Sequence, residues 1–482
     1  MSVLEGLEPT LVWKHFDEIR KIPRCSKHEE KIRKYLLDFA KAQELEAKTD
    51  DAGNIVIKKP AASGMENRPI VVLQSHMDMV CEKNNDVKHD FSKDPIQLKL
   101  EQNILTADGT TLGADDGIGV AVSLALLEDD TLSLGGLEAL FTVDEETGLT
   151  GAFALGSDML EGRLLLNLDS EDWGVVTVGC AGGGNSELKL PYKTEKLPKD
   201  VTCIVVNITG LRGGHSGVDI HEQRGNAVKL LARILYKIMN KYSLHLIDIK
   251  GGDKHNAIPR ESYAIIAIPE KQEKIIREYI KKEEEAILAE IKPIDPKFTV
   301  SIKKAEPAKE AFDAASQKTL LDLLQALPHG VYAMSYELKD KVESSTNLAH
   351  VKLNKNNVEI LYSSRSSIMS ALYNIRDEIK ATAELAGASV KEDEAYPGWK
   401  PNLESRLLKL AIKLYKENIG KEPIVETIHA GLECGIIGEK FDGMEMISIG
   451  PTIKYPHSPE EQVHIDTVDV FYEYVLDILK TV

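Results

Sequence analysis

The sequence predicts an α/β protein: a mixed-sheet domain interrupted by an inserted α+β domain. Three observations carry this reading. Short apolar strings bounded by polar or glycine-containing sequence, PIVVLQ at 69–74, LEALFTV at 137–143 and RLLLNLD at 163–169, have the form of buried strands. Among them lies GIGVAVSLALLEDD at 117–130, long enough for a covering helix, so strand and helix alternate as in α/β sheets. The texture then changes near Pro191 and returns to α/β after YPGWKPN at 396–402, whose glycine and prolines are boundary material. At 482 residues the chain exceeds the size at which one core keeps growing, so more than one domain is expected.

In chain order, residues 10–45 are charged and periodically apolar, and TDDAGNIVIKK at 49–59 reads as a turn followed by a strand. The three buried strings and their helix follow. In the next region VTCIVVNITG at 201–210 is strand-like, NAVKLLARILYKIM at 226–239 has helical apolar periodicity, and YAIIAIP at 263–269 is again strand-like. The highly charged 270–292 reads as an exposed amphipathic helix, and NNVEILYSSRSS at 356–367 suggests a second strand set with flanking helices. Near the end come a helix at 405–420 with a glycine stop, a short strand in MEMISIGP at 444–451, and a final amphipathic helix. Residues 1–187 and 396–482 are thus expected to form one discontinuous catalytic domain, with 188–395 inserted.

Composition narrows the function classes. Hydrophobic residues make up 43% and charged residues 28%, a folded rather than disordered mixture. Lys plus Arg total 59 against 77 Asp plus Glu, and a net charge of −18 argues against a phosphate backbone as partner. MSVLEGLEPT lacks the basic and apolar regions of a signal peptide, and no apolar run spans about 18 residues, so no membrane contact is expected and the cytoplasm is the expected compartment. The five cysteines are scattered, with no C-x-x-C pair, and are expected to be isolated reduced thiols.

The chemistry gathers where strands end. VVLQSHMDMV at 71–80 leads into His76 and Asp78, whose i,i+2 spacing puts both on one face if the strand persists, so that Asp78 can orient the His76 ring; a buried polar pair is the alternative. In GADDGIG, Asp115 and Asp116 occupy a glycine-framed turn before a helix, where one can cap while the other ligates. Asp144, Glu145 and Glu146 crowd the end of another apolar strand; like charges in a partly buried pocket call for a cation, unless the turn is simply solvated. Asp169 follows a third strand, and His457 follows a fourth in IGPTIKYPHSPEE. Separated oxygen and nitrogen donors of this kind form a rarer pattern than any one motif.

With SHMDMV, GADDGIG, VDEETGLTGA, NLDSED and PHSPEE in this order, the chain resembles the M20 metallopeptidase family; HAGLECGI at 429–436 and GGHSGVDIHEQRGNA at 213–227 place the resemblance in its aminoacyl-histidine, non-specific dipeptidase branch. The resemblance implies a zinc-exopeptidase-like catalytic domain, a lid and dimerisation role for 188–395, and hydrolysis of dipeptides, including Xaa-His, in the cytoplasm. It also implies two divalent metal ions per subunit, zinc first with manganese or cobalt as alternatives. His76 and Asp169 would hold one ion, Glu146 and His457 the other, with Asp115 bridging, Asp78 orienting His76 and Glu145 accepting a proton. His215 is the candidate oxyanion donor, Arg365 a candidate clamp for a peptide carboxylate, and His429 and Glu433 candidates for the substrate site. A homodimer is compatible with this reading, and an N-acyl amino-acid amidohydrolase or an inactive metal-dependent assembly protein are its alternatives.

Overall fold

The computed structural model describes residues 3–482. The chain divides into two compact units, one comprising residues 1–180, 399–427 and 432–482, the other 181–398 and 428–431.

The first unit is built on an eight-stranded mixed sheet. Its order is Glu46–Thr49, Ile55–Lys59, Leu137–Thr142, Val71–His76, Leu164–Asn167, Glu445–Ser448, Val175–Cys180 and Ile424–Ile428. The four central strands run parallel, with antiparallel neighbours on both sides. The apolar strings are continuous rather than alternating because both faces are covered. On one face Val56, Val72, Leu140, Leu165 and Met446 pack with Leu155, Leu160, Ile437 and Phe441. On the other, the largely buried helix Ala114–Glu128 lies against the two central strands Val71–His76 and Leu137–Thr142 and against the helix Thr10–Ile19. Parallel central strands deliver their carboxyl ends to one edge, and there His76, the Asp144–Glu146 turn and Asp169 follow three adjacent strands.

The second unit is an antiparallel sheet in the order Thr299–Lys304, Val201–Thr209, Ser262–Pro269, His245–Gly251, Val342–Leu353, Asn357–Ser366, Gly182–Pro191 and Ser389–Glu392, with Gly330–Met334 also on Val342–Leu353. Helices Ala227–Met239, Glu273–Ile291, Ala314–Ala326 and Met369–Leu385 contribute to its own apolar core. The charged helix is less exposed than its composition suggests: Ile276, Ile280 and Ile287 are fully buried, and buried Glu283 and Glu284 pair with Lys237 and Lys281.

One sequence expectation is corrected. Cys25 and Cys81 form a disulfide with Cα atoms 5.7 Å apart, while Cys180, Cys203 and Cys434 are free and buried. The pair escaped detection because its 56-residue separation leaves no local spacing pattern. Among the described residues, no helix is long and apolar enough to cross a membrane.

Candidate active site

His76 is the last residue of its strand and is buried. Its Nε2 lies 3.0 Å from Asp115 Oδ1 and 3.4 Å from Asp169 Oδ1, while Nδ1 faces Asp78 Oδ1 at 3.3 Å. His457 brings its Nε2 to 3.1 Å from Asp115 Oδ2 and 2.9 Å from Glu146 Oε2. Each Asp115 oxygen therefore serves a different histidine, and two donor sets share this one carboxylate. Of the adjacent aspartates, Asp116 takes the capping part: its Oδ1 accepts from the Gly119 amide at 3.2 Å and its Oδ2 from the His76 amide at 3.1 Å. The division is set by the backbone, since neither Asp115 nor Asp116 has helical dihedrals. Gly119 allows the capping contact, because a Cβ there would stand 2.3 Å from Asp116 Oδ1.

The donors fit a pair of divalent ions. Their chemistry is mixed imidazole and carboxylate, which suits zinc and its first-row neighbours. The carboxylates crowd one another: burial, and then Asp115 and Glu146, lift the Asp169 carboxyl to about 6. Hydrogen bonds to Asp115 and Glu146 lift His457 to about 11 against the opposing effect of burial. Positive charge at the shared carboxylate would relieve both. Glu145 belongs to the same cluster; burial foremost, together with Asp169, Glu433 and Glu146, raises its proton affinity well above the ordinary carboxylate range. Asp78 fixes the turn from behind, accepting the Glu145 amide at 3.1 Å on Oδ1 and the Ser26 hydroxyl at 2.7 Å on Oδ2.

The family model for peptidase family M20/M25/M40 matches residues 72–481. The chain belongs to this family. The cytosol non-specific dipeptidase of Escherichia coli K12 is 41% identical over 482 residues, covering 100% of this chain and 99% of that protein. The crystal structure of aminoacylhistidine dipeptidase from Vibrio alginolyticus superposes with a TM-score of 0.95 at 40% identity, covering 100% of this chain and 98% of that one. An aminopeptidase from Bacillus cereus shares the fold alone, with a TM-score of 0.56 at 17% identity over 98% of each chain.

The M20 chain places its remaining candidates in two settings. Glu433 lies in the first unit, buried beneath the site at the start of the helix Glu433–Lys440. Its Oε2 accepts from Gln74 Nε2 at 2.6 Å and Thr142 Oγ1 at 2.7 Å, and burial first of all raises its carboxyl to about 7. His215, Arg365 and His429 lie in the second unit. His215 Nδ1 accepts from the Gly217 and Val218 amides at 3.2 and 3.0 Å, which leaves the ring proton on Nε2. Burial and then Arg365 lower its proton affinity, so the ring stays neutral. Arg365 is buried and donates to the Tyr396 hydroxyl at 2.9 Å. His429 Nε2 lies 2.8 Å from Ser345 Oγ, and burial, then Arg365, pushes its ring down to about 3. His429 and Glu433, four residues apart, thus belong to different units.

Residue-by-residue sequence reasoning passed over the groups that hold the ligand loops together. Arg24 is buried and donates to the Met77 and Asp78 carbonyls at 3.2 and 2.6 Å and to that of Gly113. Glu461 accepts four consecutive backbone amides, from Leu112 to Asp115. Glu171, whose carboxyl burial and then Asp115 and Asp169 lift to about 8, also belongs to this neighbourhood. Glu171 and Glu461 were signalled only by their place inside NLDSED and PHSPEE, and Arg24 by nothing in the sequence.

Proposed function

We propose that this chain hydrolyses dipeptides, Xaa-His among them, at a site of two divalent ions in the cytosol. The observation that carries the reading is the Asp115 carboxylate set between His76 and His457, each with its own further carboxylate. Zinc is the expected metal, with manganese or cobalt able to use the same donors. When bound, such ions polarise a peptide carbonyl and make water acidic enough to attack near neutral pH.

The chain's own residues then have separable roles. His76, Asp115, Glu146, Asp169 and His457 hold the ions, and Asp78 orients His76. Glu145 takes the proton from the attacking water and returns it to the leaving amine; its raised proton affinity suits a group that must carry a proton between the two steps. His215, neutral and with its proton on Nε2, donates to the developing oxyanion, from its own chain or from a partner in a homodimer. Arg365 pairs with the substrate's terminal carboxylate, and its fixed fork suits that planar group. The segment carrying His429 backs the same substrate end.

A panel of free dipeptides, tripeptides and N-acyl amino acids, assayed with zinc, manganese and cobalt, tests the substrate class. Dipeptides are expected to be cleaved best; a preference for acylated amino acids would replace the proposal with an amidohydrolase. Glu145→Gln is expected to retain two ions while turnover falls by about 10²–10⁴-fold. Wild-type turnover in that variant would remove Glu145 from the mechanism.

A further inference from the structure

In PHSPEE the residue four positions after His457, Glu461, makes an extensive set of contacts. Its carboxylate is buried, and Oε2 accepts the amides of Leu112 at 2.8 Å and Gly113 at 2.9 Å. Oε1 accepts the amides of Ala114 at 2.7 Å and Asp115 at 3.2 Å. Four donors on two oxygens nearly exhaust what a carboxylate can accept. They also fix the direction of the turn, since four successive N–H groups can converge only when the chain curls around the acceptor. The same turn is held from the other side by Arg24, which reaches the Gly113 carbonyl and those of Met77 and Asp78.

These contacts join three loops. The turn 112–115 ends in Asp115, the loop 455–461 carries His457, and Arg24 adds the loop that follows His76. His457 has left-handed dihedrals, with φ near 61°, an uncommon conformation for a histidine that its surroundings must maintain. Downstream of it the loop is pinned: the Glu461 amide donates to the Ser458 carbonyl at 3.0 Å, and the Ser458 hydroxyl to the Tyr455 carbonyl at 2.8 Å. A carboxylate locked onto the Asp115 turn therefore also fixes the starting point of the His457 loop.

We propose that Glu461 is a positioning residue that sets the separation between the two halves of the metal site by clamping the Asp115 turn onto the loop bearing His457. This rests on the dimetal reading above. It implies an asymmetry. His76 ends one strand of the sheet and Asp169 lies two residues beyond the end of its neighbour, so both keep their places without Glu461, whereas His457 is held by its loop. Loss of the clamp should therefore loosen the ion held by Glu146 and His457, and Asp115 should cease to bridge.

The test uses metal-free full-length protein titrated with manganese(II), followed by calorimetry and by the electron paramagnetic resonance of the coupled ion pair. Glu461→Gln keeps the shape but puts an NH2 against two backbone donors, leaving those amides without an acceptor. The expected result is one ion bound as in wild type, the second weakened at least tenfold, and the coupled-pair signal lost at one-to-two loading. Glu461→Asp, which retains the charge, should restore part of the coupling; it also serves as the decisive variant if Glu461→Gln fails to fold, and should then show the same selective weakening in milder form. Two ions bound with wild-type affinities and full coupling in the folded variants would overturn the proposal. So would equal weakening of both ions with a lowered melting temperature of the metal-free protein, which would assign Glu461 to folding alone. His457→Ala separates this failure from that of the underlying reading: if it too binds two coupled ions normally, the metal site itself has been misassigned.

Discussion

Replacing Asp78 with asparagine tests the support of the metal site without removing a ligand. The carboxylate is fully buried, accepts the Glu145 amide at 3.1 Å and the Ser26 hydroxyl at 2.7 Å, and faces His76 Nδ1 at 3.3 Å. Burial alone would push its carboxyl up, but His76, Ser26 and the Glu145 amide outweigh this and hold it below the usual value, so it is ionised at neutral pH. Asparagine keeps one acceptor oxygen and presents a donor in place of the other. Either the Ser26 or the Glu145 side then loses a hydrogen bond to a charged group, worth about 1.5–3 kcal/mol. His76 also loses the carboxylate behind its distal nitrogen, a change that typically weakens metal binding by about 10–100-fold, or roughly 1.4–2.7 kcal/mol. The two routes give the same scale. Calorimetric titration of metal-free Asp78→Asn with zinc should show the site that includes His76 weakened by that factor, with the fold retained by circular dichroism. Wild-type affinity would refute the assignment of Asp78 as the orienting group.

His215→Ala should slow single-turnover hydrolysis by about 10²–10³-fold with both ions still bound, and rapid-quench assays at saturating metal will show it. Metal binding should release protons: metal-free His457, lifted to about 11, is protonated at neutral pH but ligates only when neutral. Affinity at its site should therefore rise with pH, by up to about tenfold per unit below that value, measured by calorimetry in buffers of different ionisation enthalpy; a flat profile between pH 6 and 8 would count against His457 as a ligand. Reducing the Cys25–Cys81 bond, or Cys25→Ser with Cys81→Ser, should lower the free energy of unfolding by about 2–4 kcal/mol, read from denaturant curves with and without reductant. Identical curves would mean that the two thiols are unbonded in solution.

Much of the catalytic edge was legible because its grammar is local. An apolar string that breaks into His or Asp marks a strand end, and His76, Asp144–Glu146 and Asp169 were all visible in that way. Which of Asp115 and Asp116 faces the histidines was not, since the two are chemically identical and only the backbone dihedrals separate them. The clamp of Glu461 on residues 112–115 joins positions nearly 350 apart in sequence and could leave no periodic trace. The strand Val342–Leu353 was hidden for a different reason: Ser344, Ser345, Thr346 and Asn347 are all buried, with polar side chains that bond to Ser366, His429, Ser364 and the Ala257 carbonyl respectively. A buried polar run has the composition of a loop. The disulfide likewise depends on tertiary proximity alone.

The placement of the strand Glu445–Ser448 bears on how the protein is made. It pairs with Leu164–Asn167 on one side and with Val175–Cys180 on the other, so a slot in the catalytic sheet stays vacant until nearly the whole chain has been synthesised. All strands of the second unit lie between residues 182 and 392, and that unit, with its own core, can assemble on the ribosome while the first is still waiting. His457 and Glu461 emerge later still. A nascent chain therefore carries His76, Asp115, Glu146 and Asp169 without the second histidine, so the proposed dimetal site can be completed only when translation is all but finished.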